Sequence, residues 1–292
     1  MPSLDLGASR IAALINLSSG SCGADCEKRL RAVLAEASLA PADVACVEGR
    51  DVDGALRRIA QARPDVLIVL GGDGTIRAAA ERCGKAGIAL VPLPGGTMNM
   101  LPKAIYGARD WPQALADTLA APVLKPVGGG EVDGKRFFCA GIFGSPALWA
   151  EVREAARANR ALDMIRKARD AFRRRFSRKV GYRFGPGPDL TGEAETVAVL
   201  CPLISASLPS QARTLEAAAL DLQSSIDAFR LAVNALFADW RRDETVTAAP
   251  ATTVELSSRT KIPAILDGEL VTLPRRVQVR YVERCFDALA PG

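Results

Sequence analysis

One stretch of the chain restricts its fold more than any other. Asp65-Val66-Leu67-Ile68-Val69-Leu70 runs straight into Gly71-Gly72-Asp73-Gly74-Thr75. A continuous apolar run of that length suits a strand covered on both faces, the environment of a parallel sheet between helices. The glycines let the chain turn tightly and let backbone approach a neighbour with no Cβ in the way. A helix is predicted from Ile76 to Gly84.

The same strand–helix unit recurs around this stretch. Ile11-Ala12-Ala13-Leu14-Ile15 predicts another buried strand, ending in Asn16-Leu17-Ser18-Ser19-Gly20. Residues 25–37 predict a helix with Leu30, Val33, Leu34 and Ala37 on one face. Residues 44–47 predict a weaker strand, and 52–62 a helix with Leu56, Ile59 and Ala60 inward. Ile88-Ala89-Leu90-Val91 is the next strand, closed by Pro92-Leu93-Pro94-Gly95-Gly96-Thr97. Repeats of this size imply a doubly wound parallel sheet joined by right-handed crossovers.

After Pro122 the pattern changes. Asp133-Gly134 is a hairpin signal, and 197–203, 252–256, 262–266 and 277–282 are short strand candidates. The expected organisation is an α/β domain over 1–124 and a β-rich, sandwich-like domain over 125–292, the last residues packing back on the first. Two helical inserts interrupt the second half, over 148–179 and 224–241. The segment 185–188, Gly-Pro-Gly-Pro, reads as a loop.

Composition narrows the chemistry. The 292 residues contain no histidine, which removes Ser-His-Asp and Cys-His mechanisms and the commonest zinc ligand. Acid–base work therefore falls to carboxylates, Lys, Tyr or Cys. Seven irregularly spaced cysteines, of which only Cys22 and Cys26 are close, suit packed thiols in a reducing compartment. The formal charge of +5 is too mild to demand nucleic acid, and no nucleic-acid partner is expected. No signal peptide is recognisable at residues 1–10, and no apolar run reaches the length of a membrane span. The expectation is a cytoplasmic protein, with homo-oligomers compatible with the sequence.

On physical grounds the turn at 71–75 has two readings. Exposed amides beside a helix N-terminus make a site for phosphate oxygens, at the strand ends where open α/β sheets bind ligands. The alternative is a glycine turn capped by Asp73 or Thr75. An acid beside phosphate is repulsive unless a metal or a donor intervenes, so Asp73 points to Mg²⁺ or to the orientation of a hydroxyl. Neither a Walker A loop nor a GxGxxG fingerprint is present.

The loop and its flanks resemble a known family. Leu70-Gly71-Gly72-Asp73-Gly74-Thr75-Ile76 resembles the Gly-Gly-Asp-Gly-Thr signature of diacylglycerol kinases, sphingosine kinases, bacterial YegS-like lipid kinases and, more distantly, NAD kinases. Asn16-Leu17-Ser18-Ser19-Gly20 is similar to the family's Asn-Pro-x-Ser-Gly loop, and Pro94-Gly95-Gly96-Thr97-Met98-Asn99 to its Pro-x-Gly-Thr-x-Asn segment. Asp267-Gly268-Glu269 resembles its late Asp-Gly-Glu, although alone it reads as an ordinary hairpin turn. Residues 130–144, with Phe137-Phe138 and Ala140-Gly141, resemble the strand pair opening the family's second domain. The motifs fall in family order over most of the chain, and the late Asp-Gly-Glu and the β-rich second half favour the lipid-kinase branch over NAD kinase.

The resemblance implies ATP-dependent, Mg²⁺-assisted phosphorylation of a diacylglycerol- or sphingoid-like lipid hydroxyl. Asn16, Ser19, Gly20, Gly71, Gly72, Asp73, Gly74, Thr75, Thr97 and Asn99 would line the nucleotide. Glu269, with Asp267 beside it, would take the proton from the lipid alcohol, and Asp73 is the third catalytic candidate. Phosphoryl transfer asks for positioning, charge neutralisation and at most a carboxylate base. Two alternatives stay open: an NAD-kinase-like phosphotransferase, and a weak or inactive nucleotide-binding, membrane-associated regulator.

The chain departs from the family pattern in places. Arg77 and Ala78 stand where a polar residue and Glu are common, and Met100 where Asp is common. The family's Asp-Gly-x-x-Asp metal segment has at most a degenerate remnant at Glu216-Ala217-Ala218-Ala219-Leu220-Asp221, so the metal ligands are unassigned. Finally, Arg166, Lys167, Arg169, Arg173, Arg174, Arg175, Arg178 and Lys179 interleave with Phe172 and Phe176. That run reads either as an element for peripheral contact with the inner membrane face or as a packed helix with a solvated basic side.

Overall fold

The longest uninterrupted apolar runs became the innermost strands. β1 (Ile11–Asn16) and β3 (Val66–Gly71) are buried at every residue, and β4 (Ala89–Pro94) at all but its last. The computed structural model describes residues 5–23, 25–144, 179–186, 190–209, 211–220 and 246–292. These divide into two compact units, one of residues 1–129 with 282–292 and one of residues 130–281.

In the first unit β2 (Asp43–Val47), β1, β3 and β4 lie in that order, all parallel. Alternate residues of a strand face opposite ways, so a fully buried strand needs cover on both sides. On one face Ile11, Ala13, Ile15, Val66, Ile68 and Leu70 share a core with Leu30 and Leu34 of α1 (Cys26–Glu36) and Trp111 and Leu115 of α5 (Trp111–Ala120). α2 (Val52–Ala62) packs on β1, and α3 (Asp73–Ala86) on β3 and β4, through buried residues outside that core, among them Leu56, Ile59, Ile76 and Ala79. The expected doubly wound sheet is present. α3 begins at Asp73, three residues before its apolar pattern shows, because the glycine turn itself enters the helix. A short α4 (Met100–Tyr106) follows the loop after β4.

The second unit is built of strands. β7 (Ala140–Gly144), β10 (Thr196–Leu200), β11 (Leu215–Leu220), β12 (Val246–Ala251), β14 (Ile262–Leu266) and β15 (Glu269–Leu273) form one sheet in the order β12-β11-β10-β7-β14-β15. β8 (Val180–Gly185), β9 (Leu190–Ala194), β13 (Thr253–Ser257) and the long β16 (Arg276–Pro291) form the other layer. Inward residues of both layers, including Phe143, Val197, Val199, Phe184, Val254 and Val279, make one core, as in a sandwich. β5 (Pro122–Val132) and β6 (Lys135–Phe137) form the expected hairpin around Asp133 and Gly134, which have φ of 49° and 71°. β16 pairs with β13 over 276–280, then with β4 at Asp287 and Ala288.

Other expectations shift. The strand expected over 197–203 stops at Leu200, before Cys201-Pro202. Leu215-Glu216-Ala217-Ala218-Ala219-Leu220 is a strand despite three consecutive alanines, because it lies between β10 and β12 with Ala217 and Ala218 fully enclosed. The helical inserts expected over 148–179 and 224–241 lie outside the described residues apart from Lys179.

Glu131 at the end of β5 ties that strand to the neighbouring ones. It accepts from Arg280 Nη2 at 2.5 Å and from Arg136 Nε at 3.3 Å. The hydrogen bond from Arg280 is the main reason its carboxyl titrates below the usual range. A carboxyl lowered by folding stabilises above its unfolded pKa, and the contribution is lost as pH falls through the folded value. Glu131→Gln is therefore expected to lower Tm at neutral pH. The gap to the parent chain should close as the pH drops from about 5 toward 3. Thermal melts across that range test this, and a gap independent of pH counts against the ion pair as its cause.

Candidate active site

The loops at the ends of β1, β3 and β4 are bound into one assembly, mostly through backbone. Gly95 N–H donates to Gly71 O at 2.9 Å, and Ser21 N–H to Gly95 O at 2.9 Å. A Cβ on Gly95 would lie 2.8 Å from Gly71 N, and one on Gly96 would lie 2.7 Å from Gly72 Cα. Only glycine permits that approach. Asn16, 8% exposed, donates from Nδ2 to Thr75 Oγ1 at 2.9 Å, while its Oδ1 accepts from Ser18 N–H at 3.0 Å. Ser19 Oγ accepts from Gly72 N–H at 3.1 Å. Asn99 sits in the left-handed region at φ 52° and closes its own loop, accepting from Gly96 N–H and donating to Gly96 O, both at 2.7 Å.

Asp73 joins the second and third loops. Its Oδ2 accepts from Asn99 N–H at 3.0 Å and its Oδ1 from Met100 N–H at 2.6 Å, at the start of α4. The carboxylate thus answers two backbone donors and faces the positive end of a short helix. Sequence reasoning found the residue but not this bond, because it depends on the approach of a loop 26 residues away. Its neighbours on α3 are arranged differently. Gly72 precedes the helix with no side-chain cap, and helix geometry gives the first-turn amides of Asp73, Gly74 and Thr75 no acceptor within the helix. Three parallel N–H donors and the helix dipole make a seat for a multiply charged anion. Gly20, Gly74 and Thr97 are exposed on these loops, beside the buried Asn16, Gly71, Thr75 and Asn99.

The acidic turn lies in the second unit. Asp267 and Gly268 have φ of 47° and 85°, the left-handed pair of a two-residue hairpin between β14 and β15. Asp267 accepts from Phe138 N–H at 2.6 Å, Cys139 N–H at 2.8 Å and Ala140 N–H at 2.9 Å, and its own N–H donates to Ala140 O. It therefore fixes the hairpin to the strand entering β7. Glu269 follows, exposed. The structure groups the first-unit candidates around α3 and the remaining two on this hairpin. Among the described residues no three His, Cys, Asp or Glu side chains gather as a metal site. Glu216 lies in β11, buried against Ser205, whose hydroxyl donates to it; Asp221 lies outside the described residues.

Residues 10–132 match the diacylglycerol kinase catalytic domain. Beyond that segment the whole fold has solved counterparts. A crystal structure of a diacylglycerol kinase from Bacillus anthracis superposes with a TM-score of 0.67 at 18% identity, over 96% of each chain. A second structure from that organism gives 0.70 at 17% identity, over 96% of this chain and 97% of that one. Residues 10–132, which carry the three loops at the ends of β1, β3 and β4, are thus similar to that catalytic domain, and the fold over the rest of the chain is similar to that of the two solved structures. No helix among the described residues is long and apolar enough to cross a membrane.

Two predictions follow from the geometry of the loops. Asp73→Asn keeps one acceptor but turns an amide N–H toward the second backbone donor. It is expected to cost about 1–3 kcal/mol and to raise amide exchange at Asn99, Met100 and along α4; unchanged exchange there would show that Asp73 does not hold the loops together. Cys22 lies just beyond the first loop. Burial foremost, then the neighbouring Cys26 and Cys46, raise its thiol pKa to about 12; burial and Glu27 raise that of Cys46 to about 11. At pH 8 both should alkylate at least about a hundredfold more slowly than a free thiol, which mass-spectrometric labelling against a cysteine peptide measures.

Proposed function

We propose that the chain is a lipid kinase that transfers the terminal phosphoryl group of ATP to a lipid hydroxyl. The observation that carries this reading is the row of first-turn amides at Asp73, Gly74 and Thr75, held at the end of a buried parallel strand by two glycine loops. The family match supports phosphoryl transfer as the reaction class. A polyphosphate fits the seat because its oxygens are acceptors and the donors point from backbone, with no side chain to crowd them.

Asp73 is the one carboxylate in the loops 16–20, 71–78 and 94–100, and both its oxygens already hold N–H groups. The residues present thus fit a metal carried on the nucleotide's own phosphates better than one held in a protein cage. Such an ion, Mg²⁺ by charge and hardness, would supply neutralisation of the phosphate oxygens.

The chain's own groups then have separate tasks. The α3 amides bind and orient phosphate oxygens, and Thr75, anchored by Asn16, keeps the first turn in place. Ser19 steadies Gly72. Glu269 accepts the proton of the attacking hydroxyl, while Asp267 holds the hairpin that presents it. The acceptor is a diacylglycerol- or sphingoid-like alcohol.

A second reading, a nucleotide-binding regulator without turnover, is favoured by one observation: Ala78 and Met100 bring no carboxylate to the loops, and Asp73 is engaged. One assay separates the two. With radiolabelled ATP and Mg²⁺, the chain is expected to phosphorylate diacylglycerol, ceramide or a sphingoid base and to leave NAD unlabelled. Transfer to none of these, with ATP binding intact, would establish the regulator; labelling of NAD would establish an NAD-kinase-like enzyme. Glu269→Gln is expected to lower kcat about 10²–10⁴-fold with ATP affinity retained, and near-normal turnover would exclude it as the base.

A further inference from the structure

One end of the second unit carries a cluster of cations that the proposed reaction does not use. Arg259 and Lys261 lie on the loop between β13 and β14, and Arg275 and Arg276 at the turn from β15 into β16; all four are exposed. The two loops are pinned together. Ser258 N–H donates to Arg275 O at 2.8 Å, Ser257 pairs with Arg276, and Ile262 pairs with Leu273. None of the four takes part in an ion pair or hydrogen bond of its side chain among the described residues.

The flanking sequence brings no carboxylate to the cluster. Residues 256–266 and 270–282 contain no Asp or Glu. Asp267 and Glu269 sit at the opposite end of the β14–β15 hairpin, about 15–20 Å away at the rise of a strand. Among the described residues the nearest acids by register are Glu255, a two-residue step or about 7 Å along β13 and opposite Arg183, and Glu193, about 10 Å off across two strand spacings. Four cations with no ion-pair partner among the described residues, on two pinned loops, hold their charge in one place at little conformational cost.

We infer that this end of the second unit is a docking surface for an anionic membrane. The inference rests on the lipid-kinase reading, which requires the chain to meet a substrate dissolved in a bilayer. Charge complementarity selects the partner. Anionic headgroups attract basic side chains near the surface by about 1 kcal/mol each, about fivefold in partition per residue. The two loops carry no Phe, Tyr or Trp on which bases could stack, which disfavours single-stranded nucleic acid. Since the cluster stands a strand length from Glu269, it acts as an anchor that raises the surface concentration of enzyme. Its loss should raise the apparent KM for lipid presented in vesicles and leave kcat unchanged.

Co-sedimentation of the full chain with vesicles tests the surface without turnover. On phosphatidylcholine vesicles containing about one-third phosphatidylglycerol, the double variant R275E/R276E should partition about twentyfold or more less than the parent. Parent binding should be weak on pure phosphatidylcholine, and should fall as the Debye length shrinks from about 10 Å at 0.1 M salt to about 3 Å at 1 M. R259E/K261E, on the other loop, should show the same loss, so the test survives if one variant fails to fold. Arg58→Glu, an exposed site on α2, makes a single reversal elsewhere and should change little.

Parent binding no stronger on anionic than on neutral vesicles overturns the inference. So does a folded double variant that binds like the parent, or a loss with Arg58→Glu comparable to that of either double variant. Tighter, patch-dependent binding of a short nucleic acid would assign the surface to that class instead. A chain that binds vesicles through these residues yet phosphorylates no lipid leaves the surface standing and removes the kinase reading. Normal turnover of detergent-dispersed lipid with no patch-dependent vesicle binding removes the surface alone.

Discussion

The first unit depends on how closely two turns of backbone can lie. Gly95 and Gly96 meet Gly71 and Gly72 at distances that leave no room for a methyl group. From that approach come the Gly95 N–H to Gly71 O bond, the reach of Asp73 to the amides of Asn99 and Met100, and the placement of α4. In these loops polar backbone is matched to polar backbone. The first-turn amides of α3 are donors with no acceptor within the helix. A binding site for a polyanion needs that combination, since donors that must reorganise on binding lose much of their electrostatic advantage.

The second unit uses the same device. Asp267 collects three backbone N–H groups from 138–140 as Asp73 collects two from 99–100. In both loops the aspartate ties two segments together through backbone N–H groups. A carboxylate suits this task because each oxygen accepts from amides of fixed direction, and a charged acceptor makes the stronger hydrogen bond. An acid in a signature loop is therefore not by itself a proton acceptor or metal ligand.

The buried sheet was legible because burial on both faces forces continuous apolar sequence. The runs at 11–15 and 65–70 could be little else. The hairpin at Asp133-Gly134 was legible because both positions need left-handed backbone. The strand over 215–220 was hidden, since Leu-Glu-Ala-Ala-Ala-Leu has the propensity of a helix and is extended only because β10 and β12 supply its hydrogen bonds. The double use of β16 was hidden too. Its first residues pair with β13 and its later ones with β4, and no local pattern marks the change of partner.

For the opening stretch of 65–75, the sequence alone determined a buried strand and a glycine turn entering a helix, because hydrophobicity and backbone freedom are properties of single residues and their neighbours. It also supplied the set of residues that make up the candidate site. Tertiary structure decided what those residues do for one another. The bond from Asn16 to Thr75 spans 59 positions and that from Phe138 to Asp267 spans 129. The gathering of Arg259, Lys261, Arg275 and Arg276 at one end of the second unit likewise depends on strand register. Hydrogen bonds and unpaired charge are set by distance in space, which the order of residues along the chain does not contain.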